Sequence, residues 1–490
     1  MGGQDKFWKL QRASGYLSPG PLPLPILGTL WCFGFGWHQG TLFSAKAYGK
    51  IFTVWVGHMP MIVVNGFHPV KHVLINHYEE TSWRITTPFL RDTMNGKGIL
   101  FSSGRCWKEQ RLFVMSTLRL LGLGRKSIEH CVKEEASHMV AFFASKRGKP
   151  MDPFFSTFHA VANVISSMVF GHNFCTEDET FCKLVECIEY EANFFLSTFH
   201  LLYETFPWLM CHLPGPHQKA FSCLEFIHSF VRNEIRWHKE KKKTEDPRDF
   251  IDFYLDEISI NKGDPESTFD EVNLVHVVYD LFMAGTDTVA STLRWALLFM
   301  VVHPDVQEKV QMEIDAVLTP FQCICYEDRK QMSYTNAVIH EIQRFKYVLV
   351  AGNYRLCSKD TTMLGFPIKK NTVIIPDIAS ALYDPEQWET PHQFNPNHFL
   401  DKDGHFFSRD AFIPFSMGQR LCLGASLAKM ELFLFLTNLL QAFTLQLPEG
   451  VKELNTTPAK GRFVVQPYPY TICAVPRKVT AWREGGLLPK

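Results

Sequence analysis

The sequence predicts a mainly α fold with a small β subdomain. Three observations carry this expectation. Apolar residues recur at helical spacing through most of residues 69–342. Alternating, β-rich runs are confined to residues 51–65 and to short segments beyond residue 345. No linker divides the two regions, so the 490 residues read as one large unit rather than several average domains. The expected division is an N-terminal segment with a proline-rich hinge over 1–30 and a single catalytic domain over 31–490.

Residues 1–18 contain no long apolar run, so neither a secretory signal nor a transmembrane anchor is expected there. Lys6 stands where a myristoylation signal needs Ser or Thr. The prolines at 19, 21, 23 and 25 form a stiff lead-in. Ile51–Val56 and Met61–Asn65 read as strands joined through Gly57-His58-Met59-Pro60. Helices follow at Arg105–Leu121, Ser127–Ala144, Pro153–Val169, Asp178–Leu202, His217–Lys242 and Glu271–Val302. The run Lys239–Lys243 suits a solvated helix end. Val272–Val302 is the most apolar stretch, yet Asp280, Asp287 and Arg294 interrupt it, so it reads as a buried helix and not a membrane span. Residues 345–410 are irregular, with a strand at Thr372–Ile375. A helix over Ser426–Phe443 and short strands near Phe463–Val465 and Thr471–Val475 close the chain.

Charge narrows the function classes. Fifty basic and fifty acidic residues give a net charge of +0, against the basic excess expected of a nucleic-acid binder. Forty-two Phe against 14 Tyr supply flat apolar area without hydroxyls, suited to a filled core or to a pocket for greasy ligands. The 13 Cys are odd in number and irregularly spaced, which predicts reduced thiols rather than a disulfide framework.

Four short patterns bear chemistry. In Phe415-Ser-Met-Gly418-Gln-Arg420-Leu-Cys422-Leu-Gly424, the glycines permit a tight path around Cys422. The helix that follows offers free amides to a thiolate, and Arg420 adds a cation. Such a thiolate is a soft metal ligand, and haem iron is one use. A buried Cys ahead of a helix is the plain alternative. In Ala284-Gly285-Thr286-Asp287-Thr288, two small residues allow a flat ligand near the backbone, and an acid stands beside an alcohol in an apolar helix. There the alternative is a polar pair satisfied locally, with Thr288 bonded back to residue 284. Glu341 and Arg344 share a helix face, as an ordinary surface pair also would. Trp107 and Arg111 do the same one turn apart, and such donors suit carboxylates.

The order and spacing of these patterns resemble the cytochromes P-450. The first is similar to their haem-binding signature, the second to their oxygen-activating motif, the third to their E-x-x-R and the fourth to their W-x-x-x-R. The resemblance runs from the proline lead-in to Cys473-Ala-Val-Pro-Arg477. The stretches Trp107–Glu135 and Phe206–Pro216 look like the vertebrate microsomal family-2 enzymes, and within that group the chain resembles the fatty-acid-epoxidising J-type branch. It implies the cytochrome P-450 fold and a haem b cofactor with Cys422 as iron ligand. It implies haem contacts from Arg84, Trp107, Arg111, Ala284, Arg355, Phe415 and Arg420, and proton delivery for dioxygen splitting by Asp287 and Thr288. It implies a polar clamp in which Pro396-Asn397-His398-Phe399 completes Glu341 and Arg344.

The implied activity is a monooxygenase that places one atom of O2 into lipophilic substrates such as fatty acids (arachidonate included), steroids or xenobiotics. NADPH acts indirectly, through NADPH-cytochrome P-450 reductase, with cytochrome b5 a further partner. Lys108, Arg119, Arg125, Lys126 and Lys429 are the cations available for docking; a solvated helix face is their alternative. The implied location is the cytoplasmic face of the endoplasmic reticulum membrane, touched peripherally by the apolar tip Phe206–Met210. Nucleic acid is not an expected partner. Candidate substrate-lining residues are Phe101, Phe194, Phe195, Leu281, Phe282, Val350 and Val464. The chain departs from the family at Val350 and Tyr354, where prolines are usual, and at Ala425, where Glu is frequent. Two rival readings are an isomerase or dehydratase of oxygenated lipids and a non-catalytic haem-binding protein.

Overall fold

The structure, a computed structural model, describes residues 18–24, 28–29, 44–56, 59–122, 126–241, 246–318, 322–350 and 354–477. The start of the chain, the Gly57-His58 half of the expected turn, Arg125 and the side chain of Lys126 lie outside the described residues.

The β region comes first. Strands β1 (Ile51–Val56) and β2 (Met59–Val64) pair antiparallel, Phe52 opposite Val63. Two later strands join them, β3 (Arg355–Leu356) and β4 (Val373–Pro376). The sheet order is β1-β2-β4-β3, with β2 and β4 parallel. A second small sheet pairs β5 (Phe443–Gln446) with β6 (Cys473–Pro476). The expected strand near Phe463–Val465 is only a single bridge, Leu349 with Val464.

The helical body contains α1 (Pro88–Met94), α2 (Gly104–Leu120), α3 (Lys126–Ser145), α4 (Phe154–Val169), α5 (Glu179–Phe194), α6 (Thr198–Thr205), α7 (Pro216–Lys241), α8 (Phe250–Ile260), α9 (Glu271–Val302), α10 (Pro304–Val317), α11 (Ser333–Phe345) and α12 (Ala425–Ala442). Their starts are chemically marked. Asp178, Asp249 and Asp270 each accept a backbone N–H at the head of α5, α8 and α9. The single helix expected over 178–202 is two. Ser197 accepts the N–H of His200 at 3.1 Å and starts α6 afresh, a capping bond that periodicity does not reveal.

Helix α9 runs through the centre of the molecule and is buried on nearly all sides, mostly by apolar contact with α4 and α12. In its central turns Leu281, Ala284, Gly285 and Thr288 are half-buried at helical spacing, with Met283 beside them. Behind the β region, α11 carries the clamp. Arg344 and Glu341 are fully buried and bidentate, at 2.7 and 2.8 Å. Arg344 also donates to the carbonyls of Leu382, Pro391 and Gln393. His398, in the turn Pro396–Phe399, holds Glu341 at 3.2 Å. The expected trio therefore meets. Among the described residues no helix is long and apolar enough to cross a membrane.

Candidate active site

The loop before α12 is shaped by one glycine. Gly418 has φ 73°, and a Cβ there would strike the main-chain oxygen of Leu74, so a side chain is excluded twice over. The loop then returns on itself, the Cys422 N–H donating to the Phe415 carbonyl at 3.0 Å. Gly424 differs from expectation. Its φ of −85° is open to any residue, and a Cβ would meet no atom of the described residues within 4 Å. Burial pushes the Cys422 thiol up from its ordinary value, while the Gly424 and Ala425 amides and Arg111 pull against it. Solvent nonetheless reaches Cys422, which therefore stands at the floor of a recess rather than inside packed core.

Guanidinium groups cluster beside this loop. Arg420 lies over the Trp107 ring at 3.9 Å and donates to the carbonyls of Ser82, Ile99 and Ser102. Arg84 donates to Leu100 and Tyr354, and Arg111 to the Leu421 carbonyl at 2.7 Å. Arg355 is different: its Nε and Nη1 are buried with no hydrogen-bond partner among the described residues, as is Trp107 Nε1. Among the described residues none of these four arginines forms an ion pair. Burial lowers all four from the ordinary arginine range, Arg355 to about 10 and Arg420 to about 8. Mutual repulsion adds to this for Arg84, Arg355 and Arg420. Buried cations without counter-charge, beside unpaired guanidinium and indole N–H groups, make a receptor for carboxylates. Buried Asp280 organises the same wall. It accepts the N–H groups of Ile99 and Leu100, whose carbonyls in turn hold Arg420 and Arg84.

On α9 the expected pair divides. Thr288 bonds back to the Ala284 carbonyl at 2.8 Å, as the local alternative foresaw. Asp287 turns the other way, into a buried network. Its Oδ1 accepts from Gln466 Nε2 at 3.0 Å and from Ser291 at 3.2 Å. Gln466 also donates to Glu189 and accepts from Arg294 and Arg462. Burial, with Glu189 adding repulsion, pushes Asp287 up to about 7. The expectation for Gly285 is corrected: a Cβ there would crowd Ile165 of α4, so its smallness serves helix packing and not a flat ligand. Ala284 remains part of the half-buried stripe. Glu189, Arg462 and Gln466 were missed by sequence reasoning. They lie up to 277 residues from their partners and carry no local signal.

The family model described as Cytochrome P450 matches residues 18–474. The chain belongs to the cytochrome P450 family. Among its curated relatives, human Cytochrome P450 2J2 is 40% identical over 96% of this chain and 93% of that protein. Cytochrome P450 2C26 of Mesocricetus auratus is 39% identical over 96% of each chain, and Cytochrome P450 2A3 of Rattus norvegicus 39% over 96% and 95%. Membership makes haem b the cofactor of this P450 and monooxygenation its general chemistry.

The residues present fit that group. A haem brings an iron, a flat ring and two propionates. The Cys422 recess, the side of Gly424 that no described residue fills, and the unpaired donors of Arg355 and Trp107 match them in kind. Phe415 flanks the loop half-buried, with the Lys429 ammonium 5.5 Å from its ring. Of the lining candidates, Phe282 is core, packed on Phe170 at 5.8 Å. Phe101, Phe195, Leu281 and Val350 are half-buried, whereas Phe194 and Val464 are buried.

Proposed function

We propose that this P450 is a reductase-coupled, NADPH-dependent oxygenase of lipophilic substrates, fatty acids among them. Cys422 is the iron ligand. Trp107, Arg355 and Arg111 hold the propionates, with Arg84 and Arg420 bracing the wall behind them. The carrying observation is the buried, counter-ion-free arginine cluster beside a recessed thiol. When bound, the haem supplies the centre at which one atom of O2 enters a C–H or C=C bond and the other leaves as water.

The chain's own groups do the rest. The Gly424 and Ala425 amides and Arg111 stabilise negative charge on Cys422 Sγ. Ala284 would leave room for the bound group, and apolar Leu281 and Val350 would orient a substrate's carbon by excluding water. Thr288 Oγ1 holds a proton at the half-buried stripe of α9. Asp287, on the other side of the helix and raised to about 7, holds the proton reserve of the network that runs through Gln466 to Glu189 and Arg462.

Two surfaces support the proposed partners. Lys108 and Arg119 are exposed on α2, whose Arg111 touches the Cys loop, and Leu112 beside them is 71% exposed. This face suits an acidic reductase, with cytochrome b5 as a second donor. Trp208 is 69% exposed, and Phe199, Phe206 and Leu209 are exposed around it. That tip suits peripheral contact with the endoplasmic reticulum membrane. The deciding test is the carbon-monoxide difference spectrum of the reduced, haem-loaded protein. A strongly red-shifted Soret band is expected, and Cys422→Ala removes it. Retention of that band by the variant overturns the assignment.

A further inference from the structure

Away from the Cys422 recess, a cleft of about 400 Å³ opens between α7 and the first turns of α9. Two histidines stand in its wall, His228 from α7 and His276 from α9, both more than nine-tenths buried. Their ring centroids are 4.8 Å apart and the rings nearly perpendicular. Neither imidazole forms a hydrogen bond within the described residues. His228 Nε2 and His276 Nδ1 are buried outright without a partner. Polar groups so deeply buried ordinarily have partners, so two unpaired rings in one cleft call for a ligand.

The surroundings select its chemistry. Burial, aided by Arg232, pushes both histidines down to about 4, so at neutral pH each ring offers one N–H and one bare nitrogen. A metal ion would accept the bare nitrogens, but neither ring belongs to a set of three ligating groups among the described residues. Cations also surround them. Arg232 and Lys239 are paired, with Glu225 and Glu271. Arg236, exposed at the rim, has no carboxylate partner among the described residues. The remaining wall is apolar: Ile235 and Val275 are buried, and Val272 is 56% exposed. Cationic rim, N–H donors and greasy wall together fit an ionised head on a short chain.

We propose that this cleft is a second ligand site, taking a single-chain amphiphile with a carboxylate or phosphate head. Its head lies against Arg236 and the two imidazoles, and its chain against Val272 and Val275. His276 precedes Ala284–Thr288 on the same helix by about 12–18 Å at 1.5 Å per residue. The two sites are therefore separate, and both can be filled at once.

The test is equilibrium dialysis of radiolabelled octyl phosphate, below its micellar concentration, against haem-loaded protein whose active site is saturated with an iron-ligating azole. One molecule bound per chain is expected. Arg236→Glu weakens binding at least tenfold, as does the pair His228→Phe and His276→Phe, while melting temperature and the azole spectrum are unchanged in Arg236→Glu. Inorganic phosphate and octanol each bind at least tenfold more weakly than octyl phosphate. No binding to the azole-saturated protein overturns the proposal. Unaltered binding by Arg236→Glu overturns it too, as does octanol or inorganic phosphate binding as tightly as octyl phosphate. Because Arg236 is exposed, its variant reads the site even if the buried histidine pair fails to fold.

Discussion

Gln466 connects four side chains through one amide, donating to Asp287 and Glu189 and accepting from Arg294 and Arg462. Its N–H holds Asp287 lower than burial alone would leave it. In Gln466→Leu the carboxyl rises further, so the alkaline limb of turnover, near pH 7 in the parent, moves upward. Asp287→Asn erases that limb and lowers product formation by about tenfold or more. A pH series of product formed per NADPH consumed checks both; an unmoved limb in Gln466→Leu breaks the proposed link. Gly418 permits a sharper expectation. Any Cβ must take a left-handed conformation, costing about 1–2 kcal/mol, and must also displace the Leu74 backbone. Gly418→Ala is thus expected to lose at least about 2 kcal/mol of stability in denaturant titration. Of these two residues, Gly418 was legible, because its pattern is local. Gln466 was not, because its meaning lies in contacts with segments far away in the chain.

Among elements, α11 shows how one helix secures the irregular region after it. Arg344 ties α11 to the carbonyls of residues 382, 391 and 393, and Glu341 accepts the Asn395 N–H. The pair is worth more as a brace than as an attraction, since burying two charges costs nearly what their meeting returns. Removing one partner is different. Glu341→Ala leaves a buried guanidinium uncompensated, and a loss of about 3–5 kcal/mol is expected. Urea unfolding measures it, and a change below about 1 kcal/mol contradicts the brace. Periodicity placed α2, α4 and α9 almost residue for residue, because their buried faces are written in apolar spacing. It merged α5 with α6, because Ser197 ends one and begins the other through a hydrogen bond rather than a change of hydrophobicity. The bland reading of the 284–288 helix proved half right: Thr288 is satisfied locally, whereas Asp287 reaches across the fold.

For the whole molecule, buried titratable groups set how stability follows pH. Burial raises Asp280 and Asp287 to about 7 and Glu191 to about 8. These hold more protons folded than unfolded, so they stabilise at low pH and lose that stabilisation as pH rises through 7–8. Burial lowers His228 and His276 to about 4 and His340 to about 3. These hold fewer protons folded, so they favour folding increasingly up to the unfolded imidazole value near pH 6.5. The two sets oppose each other below about pH 6.5, and only the acids still act above it. Melting temperature is therefore expected to fall from about pH 6.5 to 8. Asp280→Asn and Glu191→Gln together flatten that fall, and a scan of melting temperature against pH decides it.

What the sequence determined by itself is the class of fold, the place of most of the long helices and the positions that carry chemistry, because hydrophobic period, capping residues and tight glycine turns act over a few residues. Which side each chemical residue faces was decided only in three dimensions. Burial compelled Asp287 to find Gln466, left donors of Arg355 and Trp107 and nitrogens of the two cleft histidines without hydrogen-bond partners among the described residues, and shifted the acidities of Asp287, Cys422 and the arginine cluster. Those are properties of neighbours brought together from opposite ends of the chain, and no window of sequence contains them.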